Sequence, residues 1–357
     1  MERKIEKLKY IFYPILILFV PLYYGIFLLL KWLRSSKQKK FKNVKIVCIG
    51  NATLGGSGKT TLVKKLAEDL KKQNKQVAIA TRGYKRKCKL DVLLKPDYNY
   101  PANHVEIFGD EPFMLFSELK VPISVSFDRL KAIQKLVDNY PDIKTIISDD
   151  GYQNFTFYKD INVLLINVYD IIKNNLFIFP LGNLREPLKA ALKRSNFVVF
   201  THCEIVSSRV LKKVKERILK IKPDIKLITS FYQIKSFVDI YSGNSFTLSE
   251  FRWLNNKIAI CCAIGNPESF VEMLRIEGFE IKHKFFYSDH HWYSKQDIEK
   301  IRKKTNLAVV TTSKDAVKIK PLFEVLKKSY VENFYSCEVE LKIVEGQNSW
   351  TELINSL

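Results

Sequence analysis

Acidic residues are scarce in this chain. Its 357 residues include 37 Asp and Glu against 59 Lys and Arg, a formal net charge of +22 at pH 7. Such a balance selects anionic partners: phosphates, nucleic acid or anionic lipid headgroups. No nucleic-acid-binding motif accompanies it, which favours an anionic lipid surface. Cysteine is also sparse, at positions 48, 88, 203, 261, 262 and 337, and no two form a Cys-x-x-Cys pair. A zinc ribbon is thereby excluded. Cys48 and Cys261 lie in apolar runs and read as reduced, buried small residues. Internal repeats and low-complexity tracts are absent too. What remains is 46% hydrophobic and 27% charged, a globular composition.

One uncharged run stands out. Tyr10 to Leu30 is 21 residues without a charge, the length that crosses a hydrocarbon core. Tyr10, Tyr13 and Trp32 supply interfacial aromatics. No small-residue cleavage site follows, so it is not a secretory signal. Pro14, Pro21 and Gly25 are tolerated in membrane helices, and they fit a kinked or shallow interfacial anchor as well as a straight span. Arg3, Lys4, Lys7 and Lys9 precede the run. Lys31, Arg34, Lys37, Lys39, Lys40 and Lys42 follow it and form the heavier basic side, which places the rest of the chain in the cytoplasm.

After a basic linker at 34–43, short apolar strands alternate with amphipathic helices. Val44–Ile49, Gln76–Thr81, Thr145–Ser148, Asn162–Asn167 and Phe197–Thr201 read as strands, and Thr60–Leu70 as a helix. The pattern restarts after about residue 235, with strands at Ile258–Ala263 and Ala308–Thr312 and a helix at Glu268–Glu277. The expected fold is α/β: a P-loop NTPase-like domain with a mainly parallel sheet, a smaller α/β C-terminal domain and an N-terminal membrane helix. The expected boundaries are 1–33, 34–235 and 236–357, the last domain completing the active site.

The strand Val44–Ile49 runs into Gly50-Asn51-Ala52-Thr53-Leu54-Gly55-Gly56-Ser57-Gly58-Lys59-Thr60-Thr61 and then a helix. Strand, glycine-rich loop and helix together make a phosphate cradle. Residues Thr53 to Thr61 are the expected ATP contacts, with Lys59 reaching the β- and γ-phosphates and Thr60 on Mg²⁺. The usual first glycine is missing, with Thr53 in its place. Thr145-Ile146-Ile147-Ser148-Asp149-Asp150 is an apolar strand delivering acids to its carboxyl end, the arrangement that holds Mg²⁺ in such sites.

Further polar clusters are Thr81-Arg82-Gly83-Tyr84, Gly109-Asp110-Glu111-Pro112, Gly151-Tyr152-Gln153-Asn154, Leu184-Arg185-Glu186-Pro187 and Ser288-Asp289-His290-His291. Arginine beside a turn former suits phosphate clamping. An Asp paired with a His suits activation of an acceptor hydroxyl. A third zinc ligand near the two histidines is not evident. No Asn/Thr-Lys-x-Asp guanine motif appears, which counts against a GTPase. Leu54 stands where partitioning-type ATPases place a lysine before the paired glycines, which counts against that alternative.

Taken in order, these motifs resemble one family, the tetraacyldisaccharide 4'-kinases, across nearly the whole chain. The resemblance also covers Ile264-Gly265-Asn266-Pro267 and Thr312-x-Lys314-Asp315-Ala316-Val317-Lys318. Asn154, Thr61, Asn183 and Ser313 depart from residues common in the family. The resemblance implies phosphoryl transfer from ATP to the 4'-hydroxyl of a tetraacyl glucosamine disaccharide 1-phosphate. It places that reaction at the cytoplasmic face of the inner membrane, with no nucleic acid and no obligate protein partner. It further implies Asp110 as catalytic acid/base with His290 as its partner and Lys59 in catalysis. Asp149, Asp150, Glu111 and Thr60 would lie near Mg²⁺, and Tyr84, Arg129, Arg185 and Gln153 on the substrate and phosphate side.

Overall fold

The computed structural model describes residues 2–35, 38–53, 58–168, 171 and 177–357, and of residues 2–15 the backbone alone. The chain divides into two compact units. The first is Met1–Ala80, Asp128–Phe231 and Lys342–Leu357; the second is Thr81–Phe127 and Tyr232–Leu341. Both are discontinuous in sequence. They therefore differ from the linear stretches 34–235 and 236–357 over residues 81–127, 232–235 and 342–357, and the first unit takes in residues 1–33 as well.

Thirteen strands are present among the described residues. The first seven are β1 (Lys45–Asn51), β2 (Val77–Thr81), β3 (Val92–Leu94), β4 (Ile123–Val125), β5 (Thr145–Asp149), β6 (Ile161–Asn167) and β7 (Phe197–Thr201). The rest are β8 (Lys226–Asp239), β9 (Ser245–Phe246), β10 (Lys257–Cys262), β11 (Glu280–Phe286), β12 (Ala308–Thr312) and β13 (Phe334–Glu345).

In the first unit β1 runs parallel between β5 and β6, β2 flanks β5, and β7 flanks β6. Val47, Cys48 and Ile49 are fully buried, as strands covered on both faces require. Ile49 pairs with Asp149, so the loops after β1 and β5 emerge side by side at the carboxyl edge. That edge is where open parallel sheets bind ligands. Gly50 admits no side chain: a Cβ there would lie 2.4 Å from Cβ of the buried Tyr152.

Helix α1 (Glu2–Ser35) belongs to the same unit. Its Leu16–Ser35 stretch has mean hydropathy 2.0 and is unburied, long and apolar enough to cross a membrane. One stripe at i, i+4 spacing rests on the unit. Tyr23 donates from Oη to the Arg185 carbonyl at 3.0 Å and meets the Phe179 ring edge-on. Phe27 and Lys31 both contact the Phe155 ring.

In the second unit β10 lies parallel between β11 and β12, and β12 pairs with the start of β13. Two antiparallel pairs, β3–β4 and β8–β9, complete its strands. Stacked aromatic rings build its core, with Phe237 and Phe251 centroids 4.0 Å apart and Tyr335 edge-on to Phe251. All six cysteines are free, and Cys48, Cys261, Cys262 and Cys337 are buried. Burial pushes those four thiols up, so they stay protonated and inert.

Candidate active site

The first unit carries a phosphate-cradle half-site. Leu54, Gly55, Gly56 and Ser57 lie outside the described residues. Gly58 follows with φ +80° and starts helix α2 (Lys59–Lys72). This backbone region strongly favours glycine. Lys59, Thr60 and Thr61 thus occupy the first turn, where unpaired N–H groups and the helix dipole favour anions. Lys59 Nζ donates to Asn51 Oδ1 at 3.1 Å and stands 3.5 Å from Asp150 Oδ1. Thr53 Oγ1 accepts from the Asn51 amide at 3.1 Å.

Asp150 is itself left-handed, with φ +49°. Arg185 reaches its carboxylate at 3.3 Å and the Gln153 side-chain oxygen at 3.1 Å. Burial pushes the Asp150 carboxyl up, but the charges of Lys59, Arg185 and Arg129 outweigh it and hold it below the usual range. Arg129, buried, donates from Nε to the Asp149 carbonyl at 3.1 Å. Gln153 donates to the Asn51 carbonyl at 2.9 Å and to Glu186 at 3.1 Å. Fully buried Glu186 pairs with Arg194. Six expected residues are therefore tied together: Lys59, Asp150, Gln153 and Arg185 through their side chains and Asn51, and Arg129 with the Asp149 carbonyl. Asn51 and Glu186 enter this network as connectors; both stand inside the motifs of the sequence, though neither carries an expected role.

The second unit brings a buried Asp–His pair together. Gly109, at φ +96°, starts helix α3 (Asp110–Leu119). Asp110 is 3% exposed. Its Oδ1 accepts the Glu111 N–H at 2.9 Å, and His290 Nδ1 lies 2.9 Å from its Oδ2. His290 adopts φ +61°, with its backbone N–H bonded to the Ala263 carbonyl. Tyr84 packs edge-on to the imidazole, centroids 5.1 Å apart. His291 turns elsewhere and bonds Asp297 at 3.2 Å.

Helix α4 (Ser313–Ile319) adds two lysines one turn apart. Lys318, its side chain fully buried, stands 3.5 Å from Asp110 Oδ2 and 2.9 Å from Asp315 Oδ1. Asp315 in turn accepts the Ala263 N–H at 3.0 Å and the Thr312 hydroxyl at 2.8 Å. Lys314 Nζ contacts His290 Nε2 at 3.0 Å, Glu111 at 3.3 Å and Asp289 at 3.4 Å. Burial alone would raise the Asp110 carboxyl. The His290 hydrogen bond and the charges of Lys314 and Lys318 win, holding it low. Burial likewise opposes the Lys314 charge, but Glu111, Asp110, Asp289 and Asp315 outweigh it and raise that lysine.

No group of three or more His, Cys, Asp or Glu side chains among the described residues forms a metal cage. Mg²⁺ is held by one or two carboxylates together with substrate phosphates and water. Thr60, Asp149 and Asp150 in the first unit are hard oxygen donors of the right chemistry, whereas Glu111, also expected near Mg²⁺, belongs to the second unit.

Residues 13–357 match the family model described as Tetraacyldisaccharide-1-P 4'-kinase. A tetraacyldisaccharide 4'-kinase of Elusimicrobium minutum is 33% identical over 311 residues, 84% of this chain and 79% of its own length. That of Francisella tularensis subsp. novicida is 32% identical over 294 residues, 80% and 84% of the two chains. The crystal structure of LpxK from Aquifex aeolicus in complex with ATP superposes with TM-score 0.72 at 26% identity. It covers 98% of this chain and 99% of its own.

Proposed function

The chain belongs to the tetraacyldisaccharide-1-P 4'-kinase family, and from that membership we propose how its residues divide the work. It is a P-loop kinase that uses ATP to phosphorylate the 4'-hydroxyl of a tetraacyl disaccharide 1-phosphate in lipid A synthesis. Phosphoryl transfer needs a cradle for the donor and a base for the acceptor. The first unit carries the cradle, the second the base.

In the first unit, the β- and γ-phosphates lie on the start of α2, with Lys59 neutralising them. Lys59 then exchanges Asn51 and Asp150 for phosphate oxygens. Arg185 and Arg129 hold the Asp149–Gln153 turn in shape, and Arg185 presents its guanidinium to phosphate. Thr60, Asp149 and Asp150 would hold Mg²⁺, which would supply charge neutralisation for the phosphates. In the second unit, Asp110 takes the proton of the 4'-hydroxyl as the new O–P bond forms and the β–γ bridge breaks to release ADP. His290 orients that carboxylate, and Tyr84 packs beside it on the substrate side. The observation that carries this division is the 2.9 Å contact between Asp110 and His290 at a helix start.

Helix α1 holds the chain at a membrane, where its lipid substrate resides; confinement to that surface raises their effective concentration. The basic stretch from Lys31 to Lys42 favours the cytoplasmic side of a Gram-negative inner membrane. No nucleic acid and no obligate protein partner enters the reaction.

The test is transfer of label from γ-labelled ATP with Mg²⁺ to the lipid disaccharide by the full-length protein in detergent. A phosphorylated lipid at the 4'-position is expected. A folded, ATP-binding sample that forms no such product, yet dimerises on nucleotide binding, would overturn the reading in favour of a partitioning-type ATPase.

A further inference from the structure

Lys314 has no place in the chemistry assigned so far, yet its ammonium is aimed at one ring nitrogen. Its Nζ lies 3.0 Å from His290 Nε2. A lysine ammonium only donates hydrogen bonds. Nε2 must therefore present its lone pair, and the ring proton must sit on Nδ1. Nδ1 is the nitrogen 2.9 Å from Asp110 Oδ2, where an N–H donates to a carboxylate. The lysine, the imidazole and the carboxylate form one chain of donors pointing the same way. Glu111 at 3.3 Å and Asp289 at 3.4 Å hold the ammonium in position from two other segments. Thr312 caps the helix that carries it through the buried Asp315.

We propose that Lys314 is a positioning residue for the kinase reaction, locking His290 in its neutral Nδ1–H form so that the imidazole orients Asp110. Without the ammonium, nothing fixes the lone pair on Nε2: the ring proton can sit on either nitrogen, and the ring is free to flip. Either change removes the single directed hydrogen bond to Asp110, which loses its aim at the acceptor hydroxyl. A wrong histidine tautomer is costly to catalysis even where the geometry is otherwise intact. The role rests on Asp110 being the base, but the tautomer itself is readable without substrate.

The experiment is nitrogen-15 NMR of the histidine rings in the full-length protein in detergent micelles, with His290→Gln assigning the resonance. The expected wild-type spectrum shows a protonated Nδ1 and a bare Nε2 for His290. Lys314→Met is expected to lose that signature and to lower kcat on the order of 10²-fold, with the KM for ATP unchanged. Lys314→Arg keeps a donor at the position and is expected to restore both. A wild-type Nε2–H tautomer, an unaltered spectrum in Lys314→Met, or an unaltered kcat in that variant would each overturn the proposal. If Lys314→Met fails to fold, the wild-type and Lys314→Arg spectra still decide it. Absence of lipid product from the wild-type protein would overturn the kinase reading instead, while the spectrum tests the Lys314 contact separately.

Discussion

Asp110 and His290 lie 180 residues apart in the chain and meet at 2.9 Å inside one compact unit. Two groups that act as one device give non-additive losses when removed. Asp110→Ala and His290→Ala are each expected to lower kcat by roughly 10²–10⁴-fold, and the double variant to be little worse than Asp110→Ala alone. Steady-state kinetics with ATP and the lipid disaccharide measure this. Multiplicative losses would show two independent contributions. ATP affinity, measured by calorimetry, should be unchanged, because both residues belong to the second unit.

The depressed Asp110 carboxyl makes a pH prediction for stability. A carboxyl with a lowered folded value adds stability above its unfolded value, about 3.9, and loses it as pH falls through the lower folded value. Wild-type protein should therefore exceed Asp110→Asn in urea midpoint by a constant margin from pH 7 to about 5. The margin should close only below about 4. A margin that widens as pH falls from 7 to 5 would mean a raised carboxyl, so that burial, rather than Lys314, Lys318 and His290, governs this group.

The cradle is legible in the sequence because its signals are local. A strand, a glycine loop and an amphipathic helix sit within 30 residues, and β1 and α2 appear where that spacing puts them. The acid–base half is legible only as a set of separate motifs, since no spacing rule brings position 110 to position 290. Lys314 and Lys318 stand in a recognisable motif, but their role is not legible there: lysines default to solvent, and only the packing of α4 buries them among Asp110, Asp315 and His290. Strands β8, β11 and β13 escape a periodicity reading because they are long and partly exposed, with charged residues interleaved. β11, Glu-Ile-Lys-His-Lys-Phe-Phe, has no buried residue at all. Segment 81–127 falls with the first domain in a linear reading because contiguity is the only boundary signal such a reading has.

Gly109 is a single-atom test of how Asp110 is aimed. Its φ of +96° lies where a Cβ is strained. Gly109→Ala should lower stability by roughly 1–3 kcal/mol and move the start of α3. Loss of kcat with retained ATP binding is the expected outcome. Unchanged kcat in the folded variant would show that the aim of Asp110 is set by His290 and Lys318 rather than by the turn.

Arg302 separates scaffold from chemistry within the same unit. Its guanidinium donates to the carbonyls of Leu307 at 3.0 Å, Glu332 at 2.6 Å and Asn333 at 2.8 Å, and lies over the Phe334 ring. Burial lowers its pKa to about 10, so it stays charged at neutral pH. Arg302→Met keeps the ring contact but removes those donors, leaving the Asn333 carbonyl with the Val309 N–H alone, for a loss of roughly 1–3 kcal/mol. Chemical denaturation should report that loss, while kcat of the protein that remains folded at low temperature should equal that of wild type.

Helix α1 does two things that can be separated. Its apolar surface at Ile17, Leu18, Phe19, Leu22 and Ile26 is exposed and suits lipid, whereas Tyr23 donates to the carbonyl of Arg185, a residue of the cradle half-site. Removing residues 1–33 should shift the protein from the membrane to the soluble fraction and lower transfer to lipid disaccharide in vesicles, since the effective concentration of substrate is lost. Presenting enzyme and substrate in the same detergent micelle should recover part of that loss. Tyr23→Phe keeps the anchor and deletes one hydrogen bond, worth roughly 0.5–1.5 kcal/mol. It should remain membrane-bound. If its kcat also equals wild type, α1 serves as an anchor alone; if kcat falls with binding intact, the helix also braces Arg185, and micelle rescue of the truncated protein should then stop short of full activity.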